Sequence, residues 1–140
     1  MKSELKKQQA DQFNRNSRIS DIQRWRSQDF SLGYEIHTSN NGRVCELCVA
    51  MAGKYPKDFT WSGWHDGCLC FIIPVTLESK EFMNYLRTRK IPQDKYIKDI
   101  PPNAREYVKK HPDLKSDMPQ WIRDNKKYFD SKHWWSFRFW

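Results

Sequence analysis

From Lys2 to Phe30 the chain reads KSELKKQQADQFNRNSRISDIQRWRSQDF, with no glycine or proline and with apolar side chains spaced far apart. Ile19, Ile22 and Trp25 fall on neighbouring turns of a 3.6-residue repeat, so the pattern predicts one helix whose early, polar turns gain little from packing. The period then shortens. YEIHTS, Tyr34 to Ser39, alternates as a short strand does and closes on the turn sequence NNG at 40–42. FIIPV at 71–75 predicts a second strand, which Pro74 confines to a sheet edge or a strand end because it has no N–H to donate. From Thr76 the repeat is helical again. Phe82, Met83 and Leu86 share a face of ESKEFMNYLRTR, and IPQDKY ends that helix. Pro101 and Pro102 open a further helix over NAREYVKK, and Ser116 or Asp117 is placed to cap another over PQWIRDNKKYF. The closing KHWWSFRFW is too aromatic for an idle solvated tail.

These elements predict an α+β fold in one small domain: a short β-hairpin or edge strands around a zinc knuckle, flanked by an N-terminal helix and several short C-terminal helices. The boundaries are a helix at 1–30, a Cys/His domain with C-terminal helices at 31–130, and an aromatic tail at 131–140. A chain of 140 residues can bury one core but not two. Hydrophobic residues make up 38% and charged residues 30%, a lean mixture, so the 21 aromatic residues supply the surface that offsets chain entropy. The net charge of +8 favours nucleic acid, acidic proteins or anionic surfaces, and +6 of it lies after Cys70. No apolar run approaches the roughly 20 residues that span a bilayer. The start, MKSELKKQQADQF, lacks the apolar centre of a signal peptide, so synthesis in a cytoplasm is expected and no membrane partner is.

All four cysteines and one of the four histidines fall within CELCVAMAGKYPKDFTWSGWHDGCLC, residues 45–70. The spacing is Cys45-x2-Cys48, then 16 residues, then His65-x2-Cys68-x-Cys70. Two thiolates separated by two residues can face one ion from a single turn, and Gly67 gives the second group freedom to do the same. Zn2+ prefers four tetrahedral sulfur or nitrogen ligands. Five candidates compete for four places: Cys45 and Cys48 with two of His65, Cys68 and Cys70 complete a closed structural site with no position for a reacting water. Two other readings stay open, namely disulfides, for which four cysteines allow three pairings, and a catalytic Cys68 or Cys70 paired with His65. Between the pairs, Tyr55, Phe59, Trp61 and Trp64 read as core or as an apolar shell around the ion, and Lys54 and Lys57 as solvated.

The same residues resemble a known family. GYEIHTSNN followed by the cysteine stretch and FIIPV is similar to the C-terminal cysteine region of phage minor head proteins of the Mu protein F-like head morphogenesis family, particularly the versions from phages and prophages of Bacteroidetes. Cys45, Cys48, Gly53 to Lys57, Gly63 to His65, Cys68, Cys70 and Pro74 match in order and spacing. PPNAREYVKK and MPQWIRDNKKYF resemble the family's downstream segments, so the likeness runs over about residues 18 to 129. The chain departs from the family at Asp66-Gly67, and it lacks the long helical N-terminal part of a full minor head protein, which reads as a split or shortened relative. The resemblance implies a non-enzymatic component of the virion head, made in the bacterial host cytoplasm, that contacts portal or capsid proteins and packaged DNA.

Other classes of function are set against it. A nuclease or toxin-type effector domain would draw on His37, Arg43 and Tyr34, although His37 beside Glu35 reads first as a structural histidine. A small zinc-dependent nucleic-acid binder would use the basic helices and exposed aromatics. His111 and His133 are expected in solvent, and Asp124-Asn125 reads as a helix feature. Phosphate loops and the common metalloprotease and serine-hydrolase motifs are absent from the sequence.

Overall fold

Alternation along Ser31–His37, strand β1, sends Leu32, Tyr34 and Ile36 to one side, where Tyr34 and Ile36 are 0% and 1% exposed. The computed structural model describes residues 2–39 and 45–129. The NNG turn and the aromatic tail expected from the sequence lie outside them. In chain order the elements are α1 (Lys2–Arg26), β1, α2 (Glu46–Met51), β2 (Gly53–Tyr55), β3 (Phe71–Thr76), α3 (Ser79–Thr88), a 3-10 turn (Gln93–Lys95), α4 (Pro102–Lys110), α5 (Pro112–Asp117), α6 (Gln120–Arg123) and α7 (Lys126–Phe129). The fold is α+β, a small single domain, as the pattern predicts.

β1 is the middle of a three-stranded antiparallel sheet of order β2-β1-β3. Pro74, paired with Tyr34, therefore sits on an edge strand, as its missing N–H requires. The strand β2 is unforeseen: three residues inside the cysteine loop pair Tyr55, Lys54 and Gly53 with Tyr34, Glu35 and Ile36. The inner sheet face meets α1, α2, α4 and α6 around Tyr55, Phe59, Trp61, Trp64 and Trp121, all at most 3% exposed.

The helix at the N-terminus is present, but its inward stripe differs from the expected one. Ile22 and Trp25 are buried, whereas Ile19 is 38% exposed and Arg18, at 7%, faces in. Residues 18, 22 and 25 keep the helical period, and the guanidinium takes the inner position because carbonyl acceptors await it there. In α3 the face of Phe82, Met83 and Leu86 is split. Phe82 and Tyr85 pack on Phe30 at ring distances of 5.8 and 6.5 Å, while Met83 and Leu86 are 66% and 45% exposed.

The C-terminal segment corrects a second expectation. Neither Ser116 nor Asp117 caps a helix over PQWIRDNKKYF; the N-cap is Pro119, without a side-chain bond, and the run breaks into α6 and α7 at Asp124 and Asn125. Past the break, Tyr128 and Phe129 pack on Phe59 at 5.9 and 6.2 Å. Asp58 ties α7 down: the Tyr128 hydroxyl donates to it at 2.6 Å, and Lys127 pairs with its other oxygen. Burial alone would raise the Asp58 pKa, but these two donors outweigh it and hold the carboxyl below its usual range. A depressed folded pKa means stability that is present above the unfolded carboxylate pKa and lost as pH falls through the folded one. Asp58→Asn is expected to cost at most about 1 kcal/mol near neutrality, because solvent screens the pair. The cost should vanish in a melt taken well below pH 3; an equal deficit there would refute the assignment.

Candidate metal centre

Cys45 is the N-cap of α2, and its sulfur accepts the Cys48 backbone N–H at 3.4 Å. One helical turn separates the two side chains, so their sulfurs point the same way and lie 3.2 Å apart. The second group is placed by different geometry. His65 starts a turn in which Cys68 N–H reaches the His65 carbonyl at 3.2 Å, and Gly67 takes a φ of +75° that a side chain would resist. Beyond it the backbone extends into β3. Cys68 and Cys70 then point inward at 1% and 4% exposure, while Leu69 between them is 52% exposed.

The structure brings all five predicted residues together, in two overlapping triads. Cys45, Cys48 and His65 form one, and Cys48, Cys68 and Cys70 the other; within each, the donor atoms lie within 4.8 Å of one another. Cys48 belongs to both. His65 Nε2 lies 3.4 Å from Cys45 Sγ and 3.2 Å from Cys48 Sγ. Its other nitrogen, Nδ1, is 2.9 Å from the Asp66 carbonyl, which only accepts, so Nδ1 carries the proton and the Nε2 lone pair is left for an ion. All four cysteines are free. The set is soft thiolate and imidazole with no carboxylate, a composition that suits a thiophilic metal ion better than Mg2+ or Ca2+.

The thiols are not equivalent. Cys68 ionises most readily, at about 5: the Cys70 thiol donates to it, burial opposes, and the Trp64 and Cys70 amides add donors. Cys48 is pushed up to about 12, first by burial and then by its bond with Cys45. Cys70 is raised further, by its bond to Cys68 and by burial. At Cys45 burial raises the pKa, but the Cys48 amide and thiol and His65 lower it overall. Burial lowers that of His65, and the Asp66 carbonyl with the nearby thiolates more than reverses this. An arriving cation would displace the remaining thiol protons.

The aromatic residues between the ligand pairs are core. Trp64 lies tilted at 5.6 Å from Trp61 and edge-on at 5.0 Å to Trp121, whose indole N–H donates to the Trp64 carbonyl at 3.1 Å. Lys54 is exposed as expected, but Lys57 is not simply solvated: its ammonium donates to the Gln28 carbonyl at 3.1 Å and lies 4.9 Å from the Tyr96 ring. Two residues tie the loop in ways the sequence reading does not give, Asn125 reading there only as a helix feature. Asn125, 3% exposed, accepts the Thr60 N–H and donates to the Thr60 and Trp121 carbonyls, each at 2.7 Å. Arg18 holds the Cys68 and Cys70 carbonyls at 2.6 and 3.0 Å. Its spacing to Ile22 and Trp25 is the available signal, though a basic residue at that spacing normally reads as solvated.

The other candidate residues separate. His37 contacts Glu35 through Nε2 and stacks on Phe71 at 5.3 Å, beside a cavity of about 460 Å3 lined by Glu35, His37, Thr38, Gly53 and Phe71. Tyr34 is on the opposite sheet face, fully buried, with its hydroxyl donating to the Phe59 carbonyl at 2.5 Å. It cannot join His37, and Arg43 lies outside the described residues. His111 is half-buried rather than solvated, stacked on Tyr107 at 4.0 Å with Nδ1 2.8 Å from the Tyr107 carbonyl. His133 lies outside the described residues.

Comparison of the chain with protein-family models, with curated proteins and with solved structures finds no match in any of the three. Among the described residues no helix is long and apolar enough to cross a membrane.

Proposed function

We propose that this chain is a non-enzymatic minor head or head-morphogenesis protein of a phage, and that a zinc ion at the Cys/His centre holds its fold. The observation that carries the metal assignment is the convergence of Cys45, Cys48, His65, Cys68 and Cys70 from two separate turns, with His65 Nε2 aimed at the sulfurs. Zinc suits this donor set. Cys45, Cys48 and His65 supply three ligands, and Cys68 or Cys70 the fourth.

The ordered likeness of residues 18–129 to phage minor head proteins supports the head assignment. An outward stripe of Leu69, just before the edge strand, and Phe71 and Ile73 on it, each 46–52% exposed, offers apolar surface to portal or capsid subunits. The charge of +8 suits contact with packaged DNA. Tagged protein produced with the portal and capsid proteins of a phage encoding it should co-sediment with assembled heads. Heads that form and exclude it would sink the proposal.

One observation favours an enzyme reading: the His37–Glu35 pair opens on a cavity. Incubation with RNA and DNA checks it. A non-enzymatic protein leaves both intact, and turnover that disappears in His37→Ala would replace the structural reading with a nuclease.

A further inference from the structure

The buried stripe of α1 does not stop at Arg18. Asp11, Arg15, Arg18, Ile22 and Trp25 recur at helical spacing, and the first three all grip the segment that carries the second ligand group. Asp11 accepts the Gly67 N–H at 3.1 Å. Arg15 donates to Ser62 Oγ at 3.3 Å and to Asp66 at 3.2 Å, and is braced by Asp11 at 3.1 Å. Arg18 goes deepest: it donates to the Ser62, Cys68 and Cys70 carbonyls at 2.7, 2.6 and 3.0 Å and lies 5.0 Å from the Trp61 ring centre. The loop approaches so closely that a Cβ on Gly63, whose φ is +144°, would stand 3.0 Å from the guanidinium.

Three carbonyls accept three of the five N–H groups of Arg18 but do not neutralise it. Among the described residues it makes no hydrogen bond to a carboxylate, and Asp11 favours its charge only through space, so burial still weighs against the cation. An ion-loaded centre would add negative charge to that of Asp11. Zn2+ with three thiolates and an imidazole carries one net negative charge, and with four thiolates two. Two of the three carbonyls that Arg18 holds belong to the candidate ligands Cys68 and Cys70, so ordering that segment on an ion also sets these acceptors in place.

We infer that Arg18 is a positioning residue that couples the metal centre to α1, so that an occupied centre docks the helix and a docked helix retains the ion. The inference rests on the metal assignment proposed above. Coupling of this kind is reciprocal: whatever zinc contributes to helix docking, docking contributes to zinc retention.

Full-length chain loaded with one zinc decides it, by the rate at which a chromogenic chelator removes the metal and by hydrogen exchange of residues 8–20. Arg18→Met keeps the length of the side chain and removes its donors and charge. It should still take up one zinc, lose it at least tenfold faster than the wild type, and leave residues 8–20 exchanging rapidly. Arg18→Lys, one charge without the fork, should fall between. Should Arg18→Met fail to fold, the rim variant Asp11→Asn with Arg15→Gln provides the readout, with zinc release several-fold faster. Asp58→Asn, which weakens the distant α7 contact, controls for lost stability and should release zinc at the wild-type rate. Unchanged release in the α1 variants, or equal release in the control, overturns the coupling while leaving the metal site standing. A wild-type chain that takes up no zinc overturns the metal assignment itself, and the coupling with it.

Discussion

Cys48→Ser, or removal of the ion by a strong chelator, is expected to convert the protein into a loose or unfolded chain. Cys48 is the one donor common to both triads, so its loss breaks each of them, whereas loss of Cys70 leaves Cys45, Cys48 and His65 together. Zinc contributes on the order of 10 kcal/mol to the folding of small sites of this type, which matches the whole stability of an ordinary domain. Even half of that would match the stability of a marginal domain. Near-ultraviolet circular dichroism should lose its aromatic signal with one equivalent of zinc removed, and Cys70→Ser should show a smaller loss. A cooperative melt that survives chelation, with no zinc by elemental analysis and two disulfides by mass spectrometry, would disprove the assignment.

Asn125→Ala should be among the most damaging changes of a polar residue, at about 3 kcal/mol. The amide acts as a short piece of strand for Thr60, accepting from its N–H and donating to its carbonyl, and it also holds the Trp121 carbonyl. Truncation leaves the buried Trp121 carbonyl and the part-buried Thr60 N–H and carbonyl without their partner, in a region where Trp61, Trp64 and Trp121 are at most 3% exposed. Asn125→Asp retains the acceptor and loses the donors, and is expected to recover only part of the loss. A shift in chemical-denaturation midpoint equivalent to less than 1 kcal/mol for the alanine variant would show that the loop holds without this tie.

What the sequence makes legible follows from how local each signal is. The strand at 71–75 and its edge position are read from Pro74, since a missing donor restricts any strand wherever it folds. The helix after Pro101 and Pro102 is equally local, and the five donors are legible because two short spacings are enough to place them. Long-range pairings are what the pattern hides. β2 is three residues held only by its register with β1, so nothing within Gly53–Tyr55 announces it. The break between α6 and α7 depends on Thr60, 65 residues from Asn125. Ile19 and Arg18 exchange the expected roles because a buried guanidinium is tolerated only where distant carbonyls converge, and hydrophobic periodicity assigns such a residue to solvent. Even within the site, spacing gathers five ligands but does not show that Cys48 alone belongs to both sets.

The anchoring of α1 has a mechanical result. Its first anchored residue is Asp11, and residues 3–10 before it are all exposed, so about 12 Å of helix precedes the first tie to the body. A rod pinned at one end by Arg15 and Arg18 behaves as a pointer. A tilt of a few degrees at the pinned end swings Leu5 and Lys6 by about an ångström at the tip, and a subunit gripping that tip would sense disturbances of the sulfur cluster without ever touching it.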